Sequence, residues 1–164
     1  MFMARQKKVK KIETGEREVQ FKQKLVDLRR VTRIVAGGKR LRFRAAMVIG
    51  DLNGQVGFGV AKGADVAEAI AKAIRQAEKN LIKIPLVNGT LPQAGEDKYK
   101  TVHVLLKPAK PGHGLVAGGP VRIVLSLAGV KNITAKIIKG KNKINCLKAV
   151  FKILEQFRGQ NLSI

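Results

Sequence analysis

Acidic residues are scarce in this chain: 11 aspartates and glutamates stand against 33 lysines and arginines in 164 residues, a net charge of +22 at pH 7. Self-repulsion of that size opposes compaction and lies far outside what ordinary enzymes carry, so a polyanionic partner that relieves it is expected. Cysteine occurs once, at Cys146, which excludes an internal disulfide. The two histidines, His103 and His113, have no thiol nearby, so zinc-ligand spacing is missing. No apolar run approaches the roughly 20 residues that span a bilayer, and the first residues hold no apolar secretory core, so no membrane partner is expected. Paired carboxylates in an apolar setting are missing too, as is a nucleophile with a base beside it. His113, set between glycines, is the one tempting general base, and an exposed loop histidine is the better reading. No catalytic residue, metal or cofactor is expected.

What is present is a concentrated cationic segment. Between Asp27 and Asp51 lie 23 residues without a carboxylate, seven of them basic: Arg29, Arg30, Arg33, Lys39, Arg40, Arg42 and Arg44. The first three lead into the pair Gly37 and Gly38, and the other four lead out, so a basic loop between two strands is the simplest reading. In an extended chain Arg40, Arg42 and Arg44 share one face while Leu41, Phe43 and Ala45 share the other. One face then meets a core and the other meets phosphate. Lysine and arginine release counterions on binding nucleic-acid phosphates, so affinity should fall steeply with salt.

Four zones separate along the chain. Residues 1–20 carry Arg5, Lys7, Lys8, Lys10 and Lys11 before the first acid, Glu13, and read as a mobile basic tail. Residues 21–84 form a first domain, with strands over about 25–35, 41–49 and 55–60 in an antiparallel meander turned by Leu52-Asn53-Gly54. Asp65 sits where an N-cap belongs and Glu68 completes a capping-box-like start. Val66, Ile70, Ala73, Ile74, Ala77 and Leu81 then form a helical apolar stripe, with Lys72, Arg75 and Lys79 on the outer side. Residues 85–98, with Pro85, Asn88-Gly89, Pro92 and Gly95, read as a connector.

Residues 99–164 form a second domain. A strand covers 102–107, a loop runs from Pro108 to Gly114, and Gly118-Gly119-Pro120 opens a short helix that Gly129 ends. A strand follows over 132–138, then a helix over 143–158 burying Ile144, Leu147, Val150, Phe151, Leu154 and Phe157. Between Asp97 and Glu155 there are 12 basic residues and no acid. Nearly all are lysines, among them Lys107, Lys110 and Lys141, which contact phosphate as point charges without reading sequence.

Glycine patterns could signal a nucleotide site. Gly57-Phe-Gly59-Val-Ala-Lys-Gly63 follows a strand and precedes a helix, but its spacing is one residue too long for the dinucleotide fingerprint, and no acid follows at ribose distance. Close approach of a helix or another backbone to the strand explains these glycines better. Gly118-Gly119 before a helix fits an anion site and a tight turn equally well.

Several ordered motifs carry a resemblance. Arg30-Val-Thr-Arg-Ile-Val-Ala-Gly-Gly-Lys-Arg-Leu-Arg-Phe and Val48-Ile-Gly-Asp-Leu-Asn-Gly-Gln-Val-Gly-Phe-Gly-Val-Ala-Lys62 closely resemble the bacterial-type small-subunit ribosomal protein number five family. So do Lys107-Pro-Ala, Pro111-Gly-His-Gly, Val116-Ala-Gly-Gly-Pro-Val-Arg122, Leu127-Ala-Gly-Val-Lys-Asn-Ile and Asn142-Lys-Ile-Asn145 in the second half. The resemblance spans about 20–158. It implies an α+β protein: an N-terminal domain similar to double-stranded-RNA-binding domains and a C-terminal βαβ-type two-layer domain. It further implies a non-catalytic constituent of the small ribosomal subunit, in a bacterial cytoplasm or an organelle, active in assembly and decoding accuracy.

The implied RNA-binding residues are Arg29, Arg30, Thr32, Arg33, Gly37, Gly38, Lys39, Arg40, Arg42, Arg44, Lys62, Lys107, Lys110 and Lys141. The segment 32–42 is the implied RNA-reaching loop. Val31, Thr32, Arg33 and Ala36 match positions that affect spectinomycin sensitivity in the family. Gly118, Gly119 and Arg122 match its interface with small-subunit protein four. Protein eight is implied at the C-terminal part, and protein three and messenger RNA at the messenger entry channel; no homo-oligomer is implied. The family usually has lysine where this chain has Ala36, threonine where it has His113 and proline where it has Lys143.

Overall fold

A computed structural model describes residues 21–157. The expected basic tail over 1–20 lies outside the described residues, as does Arg158 at the end of the last expected helix. Two four-stranded sheets make up the α+β architecture. The first contains β1 (Lys22–Val35), β2 (Gly38–Gly50), β3 (Gln55–Gly63) and β4 (Leu81–Lys83), antiparallel throughout and in chain order, with helix α1 (Val66–Lys79) between β3 and β4.

In the second sheet β5 (Gly95–Tyr99), β6 (Val102–Pro108), β8 (Ile133–Lys139) and β7 (Leu115–Val116) lie in that order. Only β7 and β8 are parallel, joined by helix α2 (Gly119–Leu127), which gives the expected βαβ unit; helix α3 (Lys143–Phe157) follows β8. Part of the segment read as a connector is therefore strand: Glu96 of β5 pairs with Leu105. Asn88 and Gly89, both at positive φ, close a tight turn bridging Val87 to Thr90.

Helix α1 lies close to its sheet because both surfaces are small. Ala69, Ala73 and Ala77 recur every fourth residue, so they fall on one side of the helix, and all three are fully buried. They face Gly63, Gly59 and Gly57 respectively: a Cβ on Gly59 would run into the Ala73 carbonyl oxygen, and one on Gly57 into that of Ala77. This is the close backbone approach anticipated for these glycines. Asp65 caps the helix, its carboxylate accepting from the Ala67 N–H (3.3 Å), while Glu68 accepts from the Ala64 N–H (2.7 Å).

The other face of the first sheet is covered at its base by the second unit. Val48 and Val56 are fully buried in the core that also holds Val104, Leu106, Val124, Leu147, Val150 and Leu154, and Phe58 packs on Phe151 with ring centroids 5.6 Å apart. The β2–β3 turn fixes this docking. Leu52 N–H donates to the Leu127 carbonyl (3.0 Å) and Gly54 N–H to that of Ala128 (2.9 Å), satisfying carbonyls that the end of α2 leaves free. Gly129, at φ +82°, has no room for a side chain because the Leu52 carbonyl lies against it.

An ionic knot ties β5 to α3. Asp97, its side chain 14% exposed, accepts from Lys152 Nζ (2.8 Å) and Gln156 Nε2 (2.9 Å). The Lys152 ammonium beside it holds the Asp97 carboxyl below the usual carboxylate range, against the opposing effect of desolvation. A depressed folded-state pKa contributes stability that is present above the unfolded value of about 3.9 and lost as pH falls through the folded value. Thermal unfolding followed from pH 5 to pH 2 should therefore show Asp97→Asn with less acid-dependent loss than the parent protein. Equal acid sensitivity in the two would show that Asp97 contributes nothing to it.

Candidate nucleic-acid interface

Register decides which cations share a surface, because directly paired residues of neighbouring strands project to the same face. Arg29 pairs with Arg44 and Arg44 with Lys62, giving three cations side by side across β1, β2 and β3. Further out, Val31 pairs with Arg42 and Arg33 with Arg40. All six cations lie on the face away from α1. The grouping of Arg40, Arg42 and Arg44 expected from alternation holds, and β1 and β3 widen it into a patch. A recess of about 220 Å³ opens beside Arg33, Arg40, Arg42 and Lys62.

The expected basic loop over 32–42 is instead a β-ribbon. Thr32 pairs with Leu41, Arg33 with Arg40, Ile34 with Lys39 and Val35 with Gly38, so only Ala36 and Gly37 form the turn, and Gly38 follows at φ +128°. The β-branched run Val31, Thr32, Ile34 and Val35 favours extended backbone, and the pairing satisfies the N–H and C=O groups that a loop would leave to water. The core expectation is also corrected at one position. Ala45 is buried and Phe43 half-buried, but Leu41 is 49% exposed, because α1 stops short of the outer ribbon. Ile34, at 79%, is more exposed still.

The ribbon's opposite face carries Arg30, Thr32 and Lys39, so Arg30 and Lys39 point away from the patch, while Thr32 still borders its recess. Lys141 lies just before α3, two residues from Lys143, whose Nζ reaches Asp27 at the root of the ribbon (3.4 Å). Lys107 and Lys110 are remote from that point. Lys107 pairs with Thr134 at the start of β8, whereas Lys141 follows the far end of the same strand, about 20 Å away. Gly118, Gly119 and Arg122 form the exposed first turn of α2, with Arg122 N–H donating to the Gly118 carbonyl (2.8 Å). The loop histidine, for which no partner was expected, does have one: His113 Nε2 lies 3.0 Å from Thr134 Oγ1.

Two residues of this surface escaped the sequence reading. In the sequence Asp27 marks the boundary of the acid-free run and Lys143 opens the last expected helix where the family usually has proline. Their meeting across 116 positions is tertiary, and no spacing signal announces it.

The sequence matches the family described as "Ribosomal protein S5, N-terminal domain" over residues 21–85 and "Ribosomal protein S5, C-terminal domain" over residues 97–161. The chain belongs to the ribosomal protein S5 family. It is 50% identical over 142 residues to the small ribosomal subunit protein uS5 of Persephonella marina, covering 86% of this chain and 73% of that protein. With the protein of the same name from Thermotoga neapolitana it shares 43% identity over 150 residues, 88% of this chain and 84% of the relative. The S5 family is structural and not enzymatic, which accords with a sequence that offers no catalytic constellation. Among the described residues of this S5 chain, no helix is long and apolar enough to cross a membrane.

Proposed function

We propose that this protein is a structural constituent of the small ribosomal subunit that binds small-subunit ribosomal RNA through the cationic face of its β1–β2 ribbon. The observation that carries this reading is the gathering of Arg29, Arg33, Arg40, Arg42, Arg44 and Lys62 on one sheet face that α1 leaves open. Guanidinium groups projecting from a two-stranded ribbon match phosphate bidentately, and their spacing along the strands suits successive phosphates. Such contacts carry no base sequence, so RNA shape selects the docking site. Val31, Thr32, Arg33 and Ala36 are the antibiotic-sensitive positions of this reading; Val31 and Arg33 share the RNA-facing side and Ala36 sits at the tip, with Thr32 between them on the opposite register face.

The finer partners follow from the same reading. The exposed first turn of α2, with Gly118, Gly119 and Arg122, is the surface for small-subunit protein four. The C-terminal part meets protein eight, and protein three is the neighbour at the messenger entry. By holding RNA helices and these proteins in one arrangement, the chain supports assembly and decoding accuracy.

Sedimentation of cell extract tests the central claim. The protein should travel with small subunits at low salt and persist there through a moderate salt wash, since fit to RNA shape and to neighbouring proteins adds to the phosphate contacts that salt weakens. A slow soluble peak at low salt, or equal binding of the purified protein to any RNA duplex, would overturn it in favour of a free-standing double-stranded-RNA binder.

A further inference from the structure

Asp27 is the sole buried charged residue among the described residues, its side chain 7% exposed, and it sits at the root of the ribbon on the cationic face. Three cations converge on it: Arg29 through Nε at 3.1 Å, Lys143 Nζ at 3.4 Å and an Arg44 terminal nitrogen at 3.8 Å. Arg29 and Arg44 come from the two strands of the ribbon, whereas Lys143 opens α3 in the second unit. A β-bulge between Leu25 and Asp27 sets the carboxylate into this position, opposite Ala46.

We propose that Asp27 is a positioning residue for RNA recognition: its carboxylate orients Arg29 and Arg44 on the phosphate-binding face and, through Lys143, locks that face to α3. The inference rests on the RNA-binding reading above. Engaging Arg29 at Nε leaves its two terminal amino groups for phosphate, and the side chain is 62% exposed, so an RNA can reach them. The knot carries one negative against three positive charges, so it stays cationic and still attracts phosphate. Stability alone is a poor reason for it, because burying a carboxylate requires desolvation that an apolar residue beside Ala46 would avoid. The arrangement also divides the patch. Arg33, Arg40, Arg42 and Lys62 have no carboxylate within ion-pair distance among the described residues and supply attraction, whereas Arg29, Arg44 and Lys143 are held in place and supply fit.

That division gives Asp27→Asn opposite effects on two probes, which loss of fold cannot produce. The substitution keeps the shape, raises the net charge by one and frees three cations. With the full chain, affinity for a small-subunit ribosomal RNA transcript should fall about tenfold at fixed salt, while affinity for heparin, a polyanion without shape, stays level or rises. Lys143→Met, at a side chain 48% exposed, should shift the ratio of RNA to heparin affinity the same way by about threefold without changing the melting temperature. Parallel loss of both affinities in Asp27→Asn together with an unchanged ratio in Lys143→Met would make the knot merely structural and overturn the proposal. So would an unchanged ratio in both variants. Failure of the parent protein to prefer the transcript over heparin would instead remove the RNA-binding reading on which the proposal stands.

Discussion

Replacing Arg33, Arg40 and Arg42 together by glutamine will lower affinity for small-subunit ribosomal RNA by two to three orders of magnitude, on the order of 1 kcal/mol or more per lost phosphate contact. Each neutralised phosphate contributes about 0.9 to the slope of log affinity against log salt, so the triple variant should lose roughly 2 to 3 from that slope. Folding should be untouched. All three arginines are exposed, and among the described residues none has a carboxylate within ion-pair distance, so each substitution lies within about 0.5 kcal/mol of neutral. Circular dichroism and the melting temperature check that part. Arg30→Gln with Lys39→Gln makes the informative comparison, because those side chains leave the opposite face of the same ribbon. A flexible basic loop would lose affinity per charge alike in both variants, and that result would remove the assignment of one face to RNA.

The two-faced character of this ribbon was legible because alternation survives any uncertainty about where strands end. Arg40, Arg42 and Arg44 are bound to share a face wherever the backbone is extended. Its first strand is legible to Val35, but the start of the second at Gly38, ahead of the expected 41, is less so, since beyond Phe43 neither face is buried and no apolar alternation marks the pairing. Short polar β5, Gly95-Glu-Asp-Lys-Tyr99, hid for a related reason: an edge strand with alternate residues in water resembles a linker. In α1 the expected stripe of Val66, Ile70, Ala73, Ile74, Ala77 and Leu81 holds two of the three buried alanines and lacks Ala69, while Ile70 and Ile74 are only half-buried and Leu81 belongs to β4. The structure buries the alanines because glycines oppose them, and this size matching is visible only once helix and strand are set together. The Asp27–Lys143 contact has no local signature at all. It depends on how the two sheets dock, which the β2–β3 turn and the end of α2 decide.

Gly59→Val will destabilise the protein by about 3 kcal/mol or more, the upper range for forcing atoms into a filled interior. A Cβ at this position meets the Ala73 carbonyl oxygen and lies 2.6 Å from the Ala77 backbone nitrogen; both belong to helix backbone, which cannot rotate away as a side chain can. The helix must lift, and burial of Ala69, Ala73 and Ala77 against the sheet is lost along the whole length of contact. For a chain of this size such a change lowers the melting temperature by roughly 10 °C. Gly119→Ala provides the contrast, because nothing lies within 4 Å of a Cβ there and the residue opens α2. That variant should melt at or slightly above the parent temperature. If Gly57 and Gly59 instead lined a cradle for a bound phosphate, Gly59→Val would abolish ligand binding and leave the unliganded protein's melting temperature nearly unchanged. The helix packing predicts the reverse: a large thermal loss with no ligand involved. Because α1 backs the strands that carry Arg44 and Lys62, RNA affinity should then fall in proportion to the unfolded fraction, with the salt slope of the folded remainder intact.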